Sequence, residues 1–171
     1  VLREAWVTVA LTKAEVFQAS MVGVCRHVAS MFKKRNLLKY PQFTEGWVKE
    51  IEGACSEAAV AKHFDLWWRM SVNEFFGGDI GGKLQVRWVP EQERQSLILR
   101  PKDRNDDLFV LVTGAAPNME PLGWILGADG RKIGKPFTHG GGPPAIGILA
   151  PDLRPFSTLT RGMVTVKSTN S

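Results

Sequence analysis

Apolar residues recur at helical spacing through the first third of the chain and at strand spacing through its middle. Val16, Phe17, Met21, Val24, Cys25, Val28 and Phe32 return every few positions, which predicts an amphipathic helix over 13–34. Thr12 and Glu15 stand three apart at its start, the spacing of a capping box in which each side chain accepts from the other residue's backbone N–H. Tyr40-Pro41 breaks the chain. Thr44 then caps a second helix over 45–66, with Trp47, Ile51, Ala54, Cys55, Ala58, Ala61 and Phe64 along it. Small residues at 53, 54, 58 and 61 let another element approach it closely, and 65–70 leaves it as an extended aromatic connection.

From residue 75 the period shortens. Ile80, then Leu84/Val86/Trp88, Leu97–Leu99, Leu108–Val112 and Leu122–Leu126 are short apolar runs with Gly, Pro, Asn and Asp between them. Helices followed by strands make an α+β fold: two N-terminal helices packed on a mixed, mostly antiparallel twisted sheet over 75–126. Residues 127–147 hold seven glycines and three prolines and read as irregular loop. The apolar segment Ala145–Ala150 follows, and the tail from about 160 is expected to be mobile. With no repeat and no linker, 1–171 reads as a single domain whose C-terminal region, 127–171, is irregular.

The hydrophobic pattern selects the register of one hairpin. In Gly77–Trp88, a two-residue loop at Gly81-Gly82 would set Asp79 beside Leu84 and mix charged with apolar groups on one face. A three-residue loop, Gly81-Gly82-Lys83, pairs Ile80 with Leu84 and Asp79 with Gln85 instead. Ile80, Leu84, Val86 and Trp88 then pack inward, and Asp79, Gln85 and Arg87 gather on the other side. The same segment is no phosphate-binding P-loop: Leu84 follows Lys83 where Ser or Thr is required, and a strand follows where a helix is required.

Composition narrows the class. The chain has 171 residues, 44% apolar and 23% charged, which excludes disordered and fibrous readings. Its two cysteines, Cys25 and Cys55, lie in helical settings and point to a reducing compartment, a cytoplasmic location. No apolar run is long enough to span a bilayer, and Arg3, Glu4, Lys13 and Glu15 interrupt any signal-peptide core. The net charge of +5 is compatible with a polyanionic partner.

Asp79, Gln85 and Arg87 together suit metal-assisted attack on a phosphodiester. A carboxylate and an amide oxygen can hold Mg²⁺ with waters retained, and a cation beside them offsets charge in the transition state. Glu57 adds a carboxylate among small residues on a helix that reads as buried, where an acid needs a partner. A Glu on a Gly/Ala-rich helix, an Asp at a hairpin and Gln-x-Arg on the next strand resemble the restriction-endonuclease-like superfamily, recognised by Glu…Asp…(Asp/Glu/Gln)-x-Lys. The downstream runs Leu97–Asp103, Leu108–Thr113 and Gly123–Ile125 are similar to those of uncharacterised phage and prophage proteins with this signature.

The resemblance covers 50–126 and implies a restriction-endonuclease-like core, a Mg²⁺ cofactor for which Mn²⁺ substitutes, DNA as partner and, for a phage-encoded chain, the host cytosol. It implies that Asp79 ligates the metal directly, Gln85 stands at the second ligand position, the Val86 carbonyl adds a third donor and Glu57 orders a metal-bound water. Arg87 stands where a Lys usually positions the attacking water. Lys83 at the hairpin tip would hold the DNA backbone, Lys33, Lys34, Arg35 and Lys39 would extend the groove, and Trp88, like Trp67 and Trp68, would stack on bases if it is not core. The implied reaction is hydrolysis of a DNA phosphodiester; a homodimer is left open.

Three departures bear on activity. Gln85 replaces the commoner acid and removes a ligand charge. Arg87 replaces Lys and stays protonated, so it cannot act as a base. Pro101–Asp107 is too short for the helix the superfamily usually places between its third and fourth strands. These departures support an alternative: a nucleic-acid-binding or assembly protein of the same fold without activity. Asp103, Asp106 and Asp107 read as a solvated turn, with an accessory metal site as the alternative, and Glu50 as a surface partner of Lys49 or Arg69, with a second carboxylate of the site as the alternative. His27, His63 and His139 lack a zinc spacing, and Ser56 lacks a histidine to activate it.

Overall fold

The computed structural model describes residues 7–32, 43–72, 79–93, 95–138 and 144–165. Two long helices, α1 (Lys13–Phe32) and α2 (Phe43–His63), lie on one face of a four-stranded sheet. That sheet has the order β1-β5-β4-β2, from β1 (Val9–Ala10), β2 (Leu84–Trp88), β4 (Leu108–Ala115) and β5 (Asn118–Leu126). On its other face stands a three-stranded sheet, β3-β7-β6, from β3 (Ser96–Leu99), β6 (Lys135–Phe137) and β7 (Ala145–Leu149). All pairings are antiparallel except β2 with β4, so the chain is α+β with mixed, mostly antiparallel sheets.

Local chemistry sets the helix ends. At the start of α1 the capping box forms: the Glu15 carboxylate accepts from the Thr12 N–H at 2.6 Å, and the Thr12 hydroxyl accepts from the Glu15 N–H at 3.3 Å. α2 begins at Phe43, so Thr44 falls in its first turn instead of capping it. It stops at His63, short of the expected 66, because Asp65 turns left-handed at φ 50°. Leu66 N–H then bonds Ala61 C=O and Asp65 N–H bonds Lys62 C=O, the paired bonds of a Schellman ending.

β4 explains the layering. Its run Leu108–Val112 is buried on both sides, as expected of a strand between two layers. Val110 and Val112 join Leu84, Val86 and the small residues Ala54, Cys55 and Ala59 of α2 in one core. Phe109 and Leu111 join Leu97, Leu99 and Ile148 in the other.

One close helix–helix approach comes from α1. A Cβ on Gly23 would lie 2.5 Å from the Ile51 Cα and 2.6 Å from the Glu50 carbonyl oxygen, whereas a Cβ on Gly53 would meet nothing within 4 Å. Gly53 is thus open, and Gly23 permits the contact.

The hairpin has the three-residue loop. Ile80 and Leu84 bridge each other through both backbone bonds, and Gly81 and Gly82 take φ values of 59° and 83°.

The C-terminal third departs from the sequence reading. Residues 127–147, read as loop, contain α3 (Gly127–Ile133), β6 and the start of β7. Their glycines suit tight packing: a Cβ on Gly130 would come within 2.7 Å of Leu99 Cδ1. In the tail expected to be loose, the described residues form α4 (Arg161–Val164), with Val164 buried and Thr165 bridging Gly82 over the hairpin tip, and 166–171 lie outside the described residues.

Gly23→Ala should destabilise the fold by about 1–3 kcal/mol despite the better helix propensity of Ala, because the added methyl meets backbone. Gly53→Ala should be neutral or stabilise by up to about 1 kcal/mol. Urea midpoints of the two variants check this pair.

Candidate functional site

Five segments deliver polar groups around the edge strand β2. Arg26 continues the inward stripe of Ala19 and Gly23 on α1, and Glu57 shares the buried side of α2 with Ala54 and Ala61. The two meet as a bidentate ion pair, Nη1 to Oε1 at 2.7 Å and Nη2 to Oε2 at 2.8 Å. Trp68 Nε1 donates to Glu57 Oε2 at 2.9 Å, and Arg26 Nε donates to the Ser71 carbonyl at 2.7 Å. Burial alone would lower the Arg26 pKa, but its bonds to Glu57 reverse the effect and raise it.

Asp79 sits at the free edge of β2. Lys83 C=O and Val89 N–H bond β4, so the backbone groups of Leu84 and Val86 between them face away from it. Leu84 is satisfied by Ile80. The Val86 N–H is satisfied by Asp79 Oδ2 at 2.9 Å. Asp79 is half-buried but its carboxyl is enclosed, and desolvation together with the charge of Glu57 pushes its pKa up from 3.8 to about 7. The Val86 bond, Arg87 and Arg26 oppose that shift. Glu50 belongs to the same cluster. Its pKa is raised by burial and by Glu57 against the pull of Arg26 and His27.

Gln85 and Arg87 occupy the opposite face of β2. Alternation puts Leu84 and Val86 toward α2 and these two toward the second sheet, where the Arg87 guanidinium lies 5.4 Å from the Phe109 ring centre. Arg87 Nη2 bonds Asp103 Oδ1 at 3.1 Å, and its Nη1 lies 3.4 Å from Gln85 Oε1 and 3.3 Å from the Val86 carbonyl. Gln85 bonds Asp107, whose pKa is raised first by burial and then by Asp106 and Asp103. Asp103 and Asp107 therefore turn inward as partners of the strand, while Asp106 pairs with Arg104 at the surface. The turn is not simply solvated: Arg87 and Gln85 draw two of its acids in.

The predicted residues are thus only partly brought together. Glu57 and Asp79 share one electrostatic cluster; Gln85 and Arg87 line the far side of the strand; the Val86 carbonyl lies on the edge. Lys83 is half-buried at the hairpin tip. Trp88 packs partly into the first core and donates to the Gly114 carbonyl at 2.9 Å, so it is not a free stacking surface, and Trp68 is buried on Glu57. Trp67 is exposed. Lys33, Lys34, Arg35 and Lys39 lie outside the described residues. Arg26, Asp103 and Asp107 are participants that sequence reasoning missed. Arg26 was legible in principle, as a cation on the small-residue stripe of α1. Asp103 and Asp107 carried no local signal.

Hard oxygen donors at the β2 edge, the Asp79 carboxylate and the Val86 carbonyl, suit Mg²⁺, with Glu57 behind Arg26. Gln85 does not fit that set, because it points to the other face. No group of three His, Cys, Asp or Glu side chains converges on one cation among the described residues. The chain matches no protein-family model, no curated protein and no solved structure.

Glu57→Gln should cost about 3–5 kcal/mol by leaving Arg26 buried without its counter-charge, and Arg26→Met combined with Glu57→Leu should recover most of the loss. A double-mutant cycle in urea reads both. Asp79 holds its proton more tightly folded than unfolded, so its contribution to stability falls as pH rises from about 4 to about 7 and is level above that. Glu50 acts in the same direction. Asp79→Asn should flatten the fall, as read from denaturation midpoints across that pH range.

Proposed function

We propose that this chain is a divalent-cation-dependent DNA hydrolase on a variant of the restriction-endonuclease-like core. The observation that carries the reading is the acid cluster at the free edge of β2. The charge of Glu57 reaches both Asp79 and Glu50, and Arg26 is bonded to Glu57 among them. Burial first, and the charge of Glu57 after it, disfavour the ionised forms of Asp79 and Glu50, and a divalent cation bound beside them would favour those forms. The Glu…Asp…Gln-x-Arg order and the net charge of +5 support the same reading.

In this proposal Asp79 and the Val86 carbonyl hold Mg²⁺, and Mn²⁺ replaces it. Bound there, the ion would polarise a phosphoryl oxygen and lower the pKa of a water. Asp79 must give up its proton to serve, so its raised pKa makes it a group that ionises near neutral pH. Glu57, held on both oxygens by Arg26 and Trp68, stands beside the edge. Arg87 acts from the opposite face: its charge reaches Asp79, and its ion pair with Asp103 steadies β2. Gln85, tied to Asp107, is a positioning residue and not a ligand.

A specific observation favours the alternative of nucleic-acid binding without hydrolysis: Arg26 and Trp68 already engage both oxygens of Glu57. Incubation with supercoiled plasmid separates the two. Hydrolysis predicts nicking with Mg²⁺ or Mn²⁺ that chelator abolishes and that Asp79→Ala lowers on the order of 10²-fold or more. Binding alone predicts retention on DNA in chelator, weakening steeply with salt, and no cleavage of duplex, branched or single-stranded DNA.

A further inference from the structure

α1 is apolar on two opposite sides. Inward, Ala19 and Gly23 are buried against α2. Outward, Phe17, Met21, Cys25, Val28 and Phe32 are exposed, Phe17 by 70% and Phe32 by 86%. These five follow one another at intervals of three or four residues and so form one line along the helix. From Ala14 to Phe32 the exposed positions include one polar side chain, Gln18, and no charged one. A continuous exposed apolar line of this kind marks a surface that a partner covers.

The outer line is nearly symmetric in size about its thiol. Met21 and Val28 flank Cys25, and a phenylalanine lies beyond each of them. We infer that α1 pairs antiparallel with the α1 of a second copy of this chain, about a two-fold axis beside Cys25. This register sets Phe17 against the partner's Phe32 and Met21 against the partner's Val28. A two-fold interface requires a patch complementary to itself, and an uncharged line of mirrored sizes meets that requirement without like-charge repulsion. An unrelated partner would impose no such mirror pattern. Two twenty-residue helices paired in this way bury on the order of 1,000 Å² in total, the lower bound for a specific interface.

Sedimentation velocity of the full chain tests the pairing. The expected result is twice the single-chain mass, returning to the single-chain mass in Met21→Glu with an unchanged circular-dichroism melt, since Met21 is exposed. The register is tested on the unaltered chain with a short bis-maleimide, whose two double bonds each take up one Cys25 thiolate and a proton. A covalent dimer that Cys25→Ser abolishes is expected. A single-chain mass at every concentration, or a dimer untouched by Met21→Glu, overturns the pairing. A dimer without the Cys25 cross-link overturns the antiparallel register.

Discussion

The buried ion pair between Arg26 and Glu57 ties α1 to α2 and both to the connection that follows. Each partner alone would be a charge removed from water at a cost of several kcal/mol. Together, with Trp68 and the Ser71 carbonyl completing their hydrogen bonds, they are satisfied. The pair therefore fixes where the aromatic connection runs, and the connection places Trp68 beside Ile80 at the root of the hairpin. The position of Asp79 follows from a contact between two helices far from it in sequence.

β2 then divides the chemistry. As an edge strand it has two faces and one free side. One face belongs to the first core, the other holds Gln85 and Arg87 with their acids, and the free side holds Asp79 on the Val86 N–H. Acids gather on both sides of one strand, but the backbone between them keeps them in separate clusters. Arg87 crosses it, through its Nη1 contact with the Val86 carbonyl at 3.3 Å and its pull on Asp79.

Local rules carried the sequence reading where a residue's surroundings are its chain neighbours. The Thr12–Glu15 capping box and the Gly81–Lys83 loop are of this kind, since each is set within a few residues. The same rules failed where glycine serves packing. Gly127 and Gly130 read as loop, yet they lie within α3, where the turn at 104–105 leaves no room for a side chain on the first and the strands at Leu99 and Ile148 none on the second. The acids of 103–107 read as a solvated turn for a similar reason: nothing nearby in sequence announces that Arg87 and Gln85 wait opposite.

Alternation and helical period therefore determined the α+β class, the hairpin register and the placing of a carboxylate on the buried side of the second helix, because hydrophobic burial imposes a period that any chain segment displays by itself. Which charge neutralises which was decided only in three dimensions. Arg26 finds Glu57 across thirty-one positions, Arg87 finds Asp103 across sixteen, and the outer side of α1 is exposed among the described residues although it looks as apolar as the inner side. Ion pairing and close packing are satisfied by whatever the fold brings within a few ångströms, and no periodicity along the chain encodes that distance.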